Sequence, residues 1–576
     1  MMRSKFQRDI EPFIIFEDDT FEKLLETLDN RINFSFGSGF ALVVDNSNRL
    51  VGVIEDSDIR KFLRLHPGEN LEIKSIMRKD FISIEDTLDE NLMVNQLILQ
   101  IKNRGWNSTL PVRIIPIISD GRPIAILDSV NLEDELSEKL TNHIVIGLGY
   151  VGITLALTLA EDKKLVYGFD IDSNKIEKLK KGETFVLEPG IEALIQKHLG
   201  KNLNLVEKFG TWPISKESSN IYYICIGTPL SEEKLPNLDF ISLCIDNLLT
   251  ILKTSDSIVM RSTVPIGTGD RIIQKVQTTK NWIVGVDFHY ISAPERTVEG
   301  NALSEIRSLP QIVGAASNSC IAQALNIFKH ISVSVITVPN IKTSELIKIM
   351  GNAYRDYIFG FSNFIISICQ QHNIDVNLAI NASNSGYSRS SIPMPSPGVG
   401  GPCLTKDSYF LVDNNFEHTS NLLLQARNVN AAVPLNSIEF IERKLQNLSE
   451  LNCLCIGIAF KGIPETNDIR SSTAIDFIEF LSSKVGHLEI WDAVSDLENL
   501  KYNKFSDNRN YNFVAVLNNH LRNSDFATKS ILSSKANQII VYDPWRLLEP
   551  GKIRLNSTTK LMHYFSLSHY ELFELK

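Results

Sequence analysis

Three glycines in mid-chain constrain this fold more than any other feature. Gly147, Gly149 and Gly152 lie between an apolar run, Ile144-Val-Ile146, and a stretch carrying Leu155, Leu157 and Leu159. A strand that turns at once into a helix needs glycine at each point. Gly147 makes the tight turn, Gly149 lets the backbone approach a pyrophosphate, and Gly152 lets the helix pack near the sheet. The helix begins near Tyr150, and its first free N–H groups, Tyr150 and Val151 among them, point at the phosphates. Asp170 closes the next expected strand about 20 residues on, where a carboxylate accepts adenosine ribose hydroxyls and repels a 2′-phosphate. Asp172 takes that place if the strand ends later. The segment predicts a parallel α/β domain that binds NAD rather than NADP.

The 576-residue chain is too long for one hydrophobic core, and three or four domains are expected. Its 43% hydrophobic and 22% charged residues are ordinary for a soluble globular protein. A formal net charge of -10 argues against a general nucleic-acid or anionic-membrane surface, while a local basic pocket for a phosphate is compatible with it. Seven scattered cysteines form neither a metal-ligand spacing nor a disulfide framework, so no metal is expected. The N-terminus, MMRSKFQRDIEPF, has no apolar stretch of signal-peptide form, and no window approaches the roughly eighteen apolar residues of a membrane span. A cytoplasmic enzyme is the expectation.

Residues 1–139 read as a separate unit built on a repeat. Its first copy has strands at Phe40–Asp45 and Leu50–Ile54 and a helix from Asp56 to Leu63. A weaker copy has a strand at Phe81–Ile84, a helix over Leu88–Lys102, and strands at Ile114–Ile118 and Pro123–Leu127. The polar stretch Asn131–Asn142 marks the boundary. Beyond it, apolar strands at Leu165–Phe169, Ile221–Ile226, Ser257–Met260 and Trp282–Val286 alternate with helices, as in a parallel sheet covered on both faces. Residues 343–370 make the longest helical pattern and join this lobe to a second α/β unit. The strands of that unit are expected at Leu454–Ala459, Leu488–Trp491, Phe513–Leu517 and Ile539–Asp543. On the long helix, Phe359, Phe361 and Phe364 with Leu346, Ile349 and Ile365 exceed the apolar surface that one lobe covers.

The second informative segment is Gly398-Val-Gly-Gly-Pro-Cys-Leu-Thr-Lys-Asp407. A cysteine in an apolar strand is inert, but Cys403 lies among Gly398, Gly400 and Gly401, which let substrate and cofactor approach the backbone. Lys406 is placed to favour the thiolate. A thiolate beside a hydride acceptor can hold an aldehyde covalently, which suggests oxidation of an alcohol through to the acid. Lys348 and Asn352, four apart, share one face of the long helix.

Several motifs stand in one order: Gly147-Leu-Gly-Tyr-Val-Gly152, Glu188-Pro-Gly190, Gly227-Thr-Pro229, Ser262-Thr-Val-Pro-Ile-Gly267 and Ala293-Pro-Glu-Arg-Thr-Val-Glu-Gly300. Glu345-Leu-Ile-Lys-Ile-Met-Gly-Asn352, the cysteine loop and Ala459-Phe-Lys-Gly-Ile-Pro-Glu-Thr-Asn-Asp-Ile-Arg470 follow. As a set they resemble the UDP-glucose/GDP-mannose dehydrogenase family over roughly residues 141–565. The resemblance implies two Rossmann-like parallel-sheet domains joined by a long central helix, with a homodimer or larger assembly built on that helix. It divides the chain into an NAD-binding domain at 140–340, a helical dimerisation and catalytic-loop region at 341–450, and a nucleotide-sugar-binding domain at 451–576.

The resemblance also implies the chemistry: NAD-dependent four-electron oxidation of a nucleotide sugar at C6. Cys403 is the nucleophile that carries a thiohemiacetal and then a thioester. Lys348 steadies developing oxyanions and Asn352 donates to the same centre or to water. Thr263, Glu295 and Asp407 hold water and assist proton transfer, and whether Glu295 or Lys348 is the principal base stays open. Glu299, Gly400 and Gly401 border the substrate. Tyr150, Val151, Thr228 and Thr263 border the cofactor, and Lys461 and Arg546 bring positive charge from the second lobe. The cysteine loop lacks the Ser before and the aromatic after Cys that UDP-glucose enzymes have, and Ala293-Pro-Glu-Arg replaces Asn-Pro-Glu-Phe. Both departures are similar to the branch acting on UDP-N-acetylhexosamines.

The N-terminal repeat resembles a tandem CBS-domain pair, most strongly at Gly52-Val-Ile-Glu-Asp-Ser-Asp-Ile-Arg60. That likeness makes Asp58 the carboxylate for an adenine-nucleotide ribose, with Glu55 where such domains usually have Ser or Thr. An α+β regulatory or assembly module is expected. Two other readings fit parts of the chain: a two-electron hydroxy-acid dehydrogenase with Lys348 as base and Cys403 idle, and a nucleotide sensor without catalysis.

Overall fold

The structure is a computed structural model and describes residues 6–29, 39–66, 72–87, 92–93, 96–97, 99–100, 104, 114–128, 141–213, 219–412, 417–498, 500–507, 509–556 and 559–574. The chain divides into two compact units, Met1–Thr141 and Asn142–Lys576. The helix expected over Leu88–Lys102 and the boundary at Asn131–Asn142 lie largely outside the described residues.

The first unit contains two three-stranded sheets of the same topology. In one, Ile14–Phe16 runs parallel to Phe40–Val44, which runs antiparallel to Leu50–Glu55. In the other, Ile84–Glu85 runs parallel to Ile114–Ser119, which runs antiparallel to Arg122–Asp128. Ile10, Phe13, Phe40, Leu42, Ile114 and Ile126 form one apolar cluster shared by both sheets.

In the second unit, an eight-stranded sheet carries the glycine turn. Its spatial order is Val335–Val338, Gln311–Ala315, His289–Ser292, Ser257–Met260, Ser219–Ile224, Thr141–Ile146, Val166–Phe169 and Leu203–Val206. Side chains alternate between its two faces. Ile144, Ile146, Tyr222 and Ile224 enter one core, and Val145, Ile221 and Tyr223 the other. Both faces are therefore buried, which explains the unbroken apolar runs in the sequence. The strand expected at Trp282–Val286 does not form. Gly285 turns the chain at φ +84, Ile283 and Val286 are 59% and 71% exposed, and the strand is the following His289–Ser292.

A second parallel sheet lies between Asn452 and Glu574 and has the order Asn503–Lys504, His487–Trp491, Asn452–Ile456, Phe513–Val516, Gln538–Tyr542, Leu561–Phe565 and Tyr570–Glu574. Only the last pairing is antiparallel. In both sheets the first strand sits centrally and the chain crosses back beside it, the doubly wound order that leaves a crevice at the strand ends. The helix Ile341–His372 joins the two domains, longer at each end than the pattern indicated. Among the described residues, no helix is long and apolar enough to cross a membrane.

Candidate active site

The glycine turn has the shape that a dinucleotide requires. Gly147 sits at φ +90, and a Cβ on Gly152 would fall 1.8 Å from the Gly147 carbonyl oxygen, so strand and helix close on each other only without side chains. A Cβ on Gly149 would meet nothing within 4 Å, which leaves room above the turn. No side chain caps the helix Tyr150–Glu161 at Gly149, and its first N–H groups remain for an anion. Asp170 is nearly buried and accepts the N–H groups of Leu148 at 2.8 Å and Asp172 at 2.9 Å. It therefore fixes the turn and the start of the segment that follows the strand. Lys175 lies 3.5 Å from the same carboxylate and offsets part of its charge. Thr228 donates to the Thr263 carbonyl at 2.7 Å, which joins two loops at the ends of neighbouring strands.

The linking helix supplies the next layer. Asn352, 3% exposed, donates to Asp407 Oδ2 at 2.5 Å and accepts from Arg355 at 2.6 Å. The other Asp407 oxygen accepts from Lys406 at 2.6 Å, and Lys406 also stands over the Phe410 ring. Burial pulls the Lys348 amine down, while Cys403 and Asp407 act to raise it, so these three groups are electrostatic neighbours. The helix thus brings Lys348, Asn352, Cys403 and Asp407 into one cluster.

Cys403 is solvent-exposed, yet protein surrounds its sulfur closely enough to disfavour the thiolate. Burial and then Asp407 push the thiol up, and Lys348, Lys406 and Arg470 oppose this without prevailing. Lys406 acts in the expected direction, towards the thiolate, but burial and Asp407 outweigh it. The loop glycines serve another purpose as well. A Cβ on Gly400 would sit 2.4 Å from the Ser471 carbonyl oxygen, and one on Gly401 2.7 Å from the Phe460 ring. Both clashes are with the second α/β domain, which the loop must touch.

Glu295 lies in a buried ion pair with Arg261, a partner the sequence reading did not single out. Its other oxygen accepts the N–H groups of Arg296 at 2.7 Å and Thr297 at 3.0 Å. Arg261 also donates to the Ala293 carbonyl and to Gln311. Burial draws this guanidinium down to about 10, so it stays charged at neutral pH. Removing one partner of such a pair costs about 3–5 kcal/mol, enough to make Glu295 a structural residue whatever else it does.

Glu299 faces the second domain. Its carbonyl accepts from Lys461 at 2.5 Å and its carboxylate from Thr466 at 3.0 Å. Burial first, then Asp468, raises its pKa. Arg470, held by Asp468, feels both Glu299 and Cys403 and so connects the two groups. Arg546 is placed differently: it pairs with Asp375 at 2.7 Å and donates to Ser566 at 3.2 Å. In the first unit, Asp58 accepts from the Glu55 N–H at 2.8 Å and from Arg78 at 3.0 Å, and Arg78 also pairs with Glu55.

A dinucleotide-binding sheet linked by one helix to a lysine-flanked thiol defines an NAD-dependent oxidoreductase. Residues 141–332 match the NAD binding domain of the UDP-glucose/GDP-mannose dehydrogenase family, and residues 342–432 its central domain. Residues 8–65 match a CBS domain. A UDP-N-acetyl-D-mannosamine dehydrogenase of Pyrococcus horikoshii is 30% identical over 354 residues, 60% of this chain and 82% of its own length. An NDP-N-acetyl-D-galactosaminuronic acid dehydrogenase of Ralstonia nicotianae is 27% identical over 342 residues, 58% of this chain and 78% of its own. The solved structure of the Pyrococcus horikoshii UDP-D-ManNAc dehydrogenase is similar at a TM-score of 0.64 and 25% identity, covering 74% of this chain and 99% of that one. The chain belongs to the UDP-glucose/GDP-mannose dehydrogenase family and carries an N-terminal CBS domain. NAD is its cofactor, and a nucleotide sugar is what it oxidises.

Two outcomes follow from this geometry. Asp170→Ala should raise the KM for NAD about tenfold and improve use of NADP, because Lys175 is left free to meet a 2′-phosphate. The added change Lys175→Ala should remove the NADP gain, and steady-state kinetics with both cofactors measures it. Alkylation of Cys403 in the absence of ligands should still accelerate as pH rises through 9, the ordinary thiol value, since thiolate becomes the major form only above the raised pKa. A rate plateau near neutrality would contradict the direction of that shift.

Proposed function

We propose that this chain oxidises the C6 hydroxyl of a UDP-N-acetylhexosamine to the uronic acid, with Cys403 carrying the intermediate. The observation that carries the reading is the clustering of Lys348, Asn352 and Asp407 around an accessible thiol. Two NAD molecules bound in succession would supply the hydride acceptors, one for the alcohol and one for the thiohemiacetal. The chain's own residues do the rest. Burial raises Cys403 and lowers Lys348, so the gap between their proton affinities narrows and a proton passes between them at smaller cost. The sulfur adds to the aldehyde carbon, Lys348 and Asn352 face the oxygen that becomes negative, and loss of hydride leaves a thioester. Water then adds to the thioester, the C–S bond breaks, and acid and thiol are released. In this reading Asp407 and Thr263 orient that water, while Glu295 holds the 293–300 segment in place. The names of the relatives above, and the Ala293-Pro-Glu-Arg segment, support an N-acetylated sugar.

The linking helix supports a homodimer. Leu346, Met350, Tyr354, Phe361, Phe364 and Ile368 are all at least 37% exposed and recur three, four or seven residues apart along one side. The identical topology of the two N-terminal sheets supports a tandem CBS-like pair. An adenine nucleotide at Asp58 would have to displace Arg78, so an assembly role for this module is favoured. A free thiol nucleophile needs a reducing compartment, which supports a cytoplasmic location.

Incubation with NAD and a panel of UDP- and GDP-sugars, followed by mass spectrometry, should show a carboxylate on a UDP-N-acetylhexosamine. Cys403→Ala should abolish acid formation while NAD still binds; near-normal turnover would exclude the covalent route. In light scattering the protein should exceed the 64.8 kDa of one chain at least twofold, and Phe361→Asp with Phe364→Asp should reduce it to the monomer.

A further inference from the structure

Glu188, in the Glu188-Pro-Gly190 segment, takes no part in the chemistry above, yet it is only 6% exposed. Its carboxylate accepts the N–H groups of Gly300 and Leu303, each at 3.0 Å, and lies 2.9 Å from the Tyr150 hydroxyl. Tyr150 is the first residue of the helix whose N-terminus receives the cofactor phosphates, and its hydroxyl is also 2.7 Å from the Val298 carbonyl. Burial and the charges of Glu188 and Glu299 raise this phenol far above its ordinary value, so it remains a donor.

The 298–303 segment is gripped on its other side by the second α/β domain. Lys461 and Thr466 hold Glu299. A Cβ on Gly300, at φ +88, would fall 2.5 Å from the Glu465 carbonyl oxygen, so the two backbones are in direct contact there. One short segment therefore meets the cofactor helix at the Val298 carbonyl and through the Glu188 carboxylate, which holds its Gly300 and Leu303 amides, and meets the substrate-side domain through three residues.

We propose that Glu188 is a positioning residue that transmits cofactor occupancy to the Glu299 segment, and through it to the nucleotide-sugar-binding domain. An anion seated on the Tyr150 amide fixes the first turn of the helix, and with it the direction of the Tyr150 side chain. Glu188 then has one fixed donor, and its remaining lone pairs order the Gly300 and Leu303 amides. Ordering of this kind couples two ligands without any contact between them. Its effect on the sugar rests on the nucleotide-sugar reading; the response of the segment to NAD does not.

Hydrogen–deuterium exchange on the full-length protein tests it. In the wild type, NAD should slow exchange of the 298–303 amides about tenfold, the weight of one hydrogen bond to a charged group. In Glu188→Gln and in Tyr150→Phe, calorimetry should show NAD still bound, but the slowing should vanish. Tyr150→Phe removes a single oxygen and still tests the link from the cofactor helix if Glu188→Gln does not fold, since slowing that persists in it excludes any route through that hydroxyl. With both changes together the Gly300 and Leu303 amides should lose no more slowing than with Glu188→Gln, because their bonds run through that carboxylate, whereas Tyr150→Phe also removes the Val298 contact. The KM for the sugar should rise about tenfold in Glu188→Gln, with a smaller change in kcat. Slowing that persists in the NAD-bound variants, or a wild-type segment indifferent to NAD, overturns the proposal. If the wild type oxidises no nucleotide sugar, the functional reading fails while the exchange result still decides the role of Glu188.

Discussion

The helix Ile341–His372 is built with its polar side inward, and the site depends on that inversion. Glu345, Asn352, Asp356 and Asn363 are each 3% exposed or less, and on a helical wheel they fall within roughly 40° of one another. Buried polar groups persist only when satisfied, so each anchors a different part of the chain. Glu345 accepts the Gly267 and Gly269 N–H groups and ties in the segment that follows Thr263. Asn352 holds Asp407. Asp356 accepts from Arg427, which donates in turn to the Val399 carbonyl of the cysteine loop. Asn363 accepts from the Ser396 N–H just before that loop. The opposite side, with Leu346, Met350, Tyr354, Phe361, Phe364 and Ile368, is left apolar and exposed.

This arrangement places the thiol loop, the lysine and the cofactor-side loop on one rigid element, the condition for donors that need no rearrangement during reaction. The electrostatics have the opposite tendency. Burial opposes the charge on both Cys403 and Lys348, and Asp407 favours charge on the lysine but not on the thiol. Burial and Asp407 together thus favour the neutral thiol.

Much of the frame was legible because burial on both faces writes itself into sequence. Ser257–Met260 was readable residue for residue, as all four are buried. Edge strands such as Val335–Val338 were not, because Ile336 and Thr337 are exposed and the strand is only four residues long. Trp282–Val286 misled because its apolar residues point to solvent around a glycine turn. The spacing of Lys348 and Asn352 made legible that they share one helix face, while the roles expected of them came from the resemblance alone. The ion pair of Glu295 with Arg261 was not, since it joins groups 34 positions apart. The net shift of Cys403 was also hidden, because desolvation belongs to the packed surroundings rather than to neighbours in sequence.

The central claim is that one thiol carries the substrate through two successive oxidations. Counting NADH released per sugar consumed, by absorbance at the reduced nicotinamide band alongside chromatography of the sugar, tests it directly. The account predicts two NADH for each UDP-N-acetylhexosamine converted, with no free aldehyde accumulating. One NADH per sugar, with an aldehyde or ketone as the final product, would contradict it.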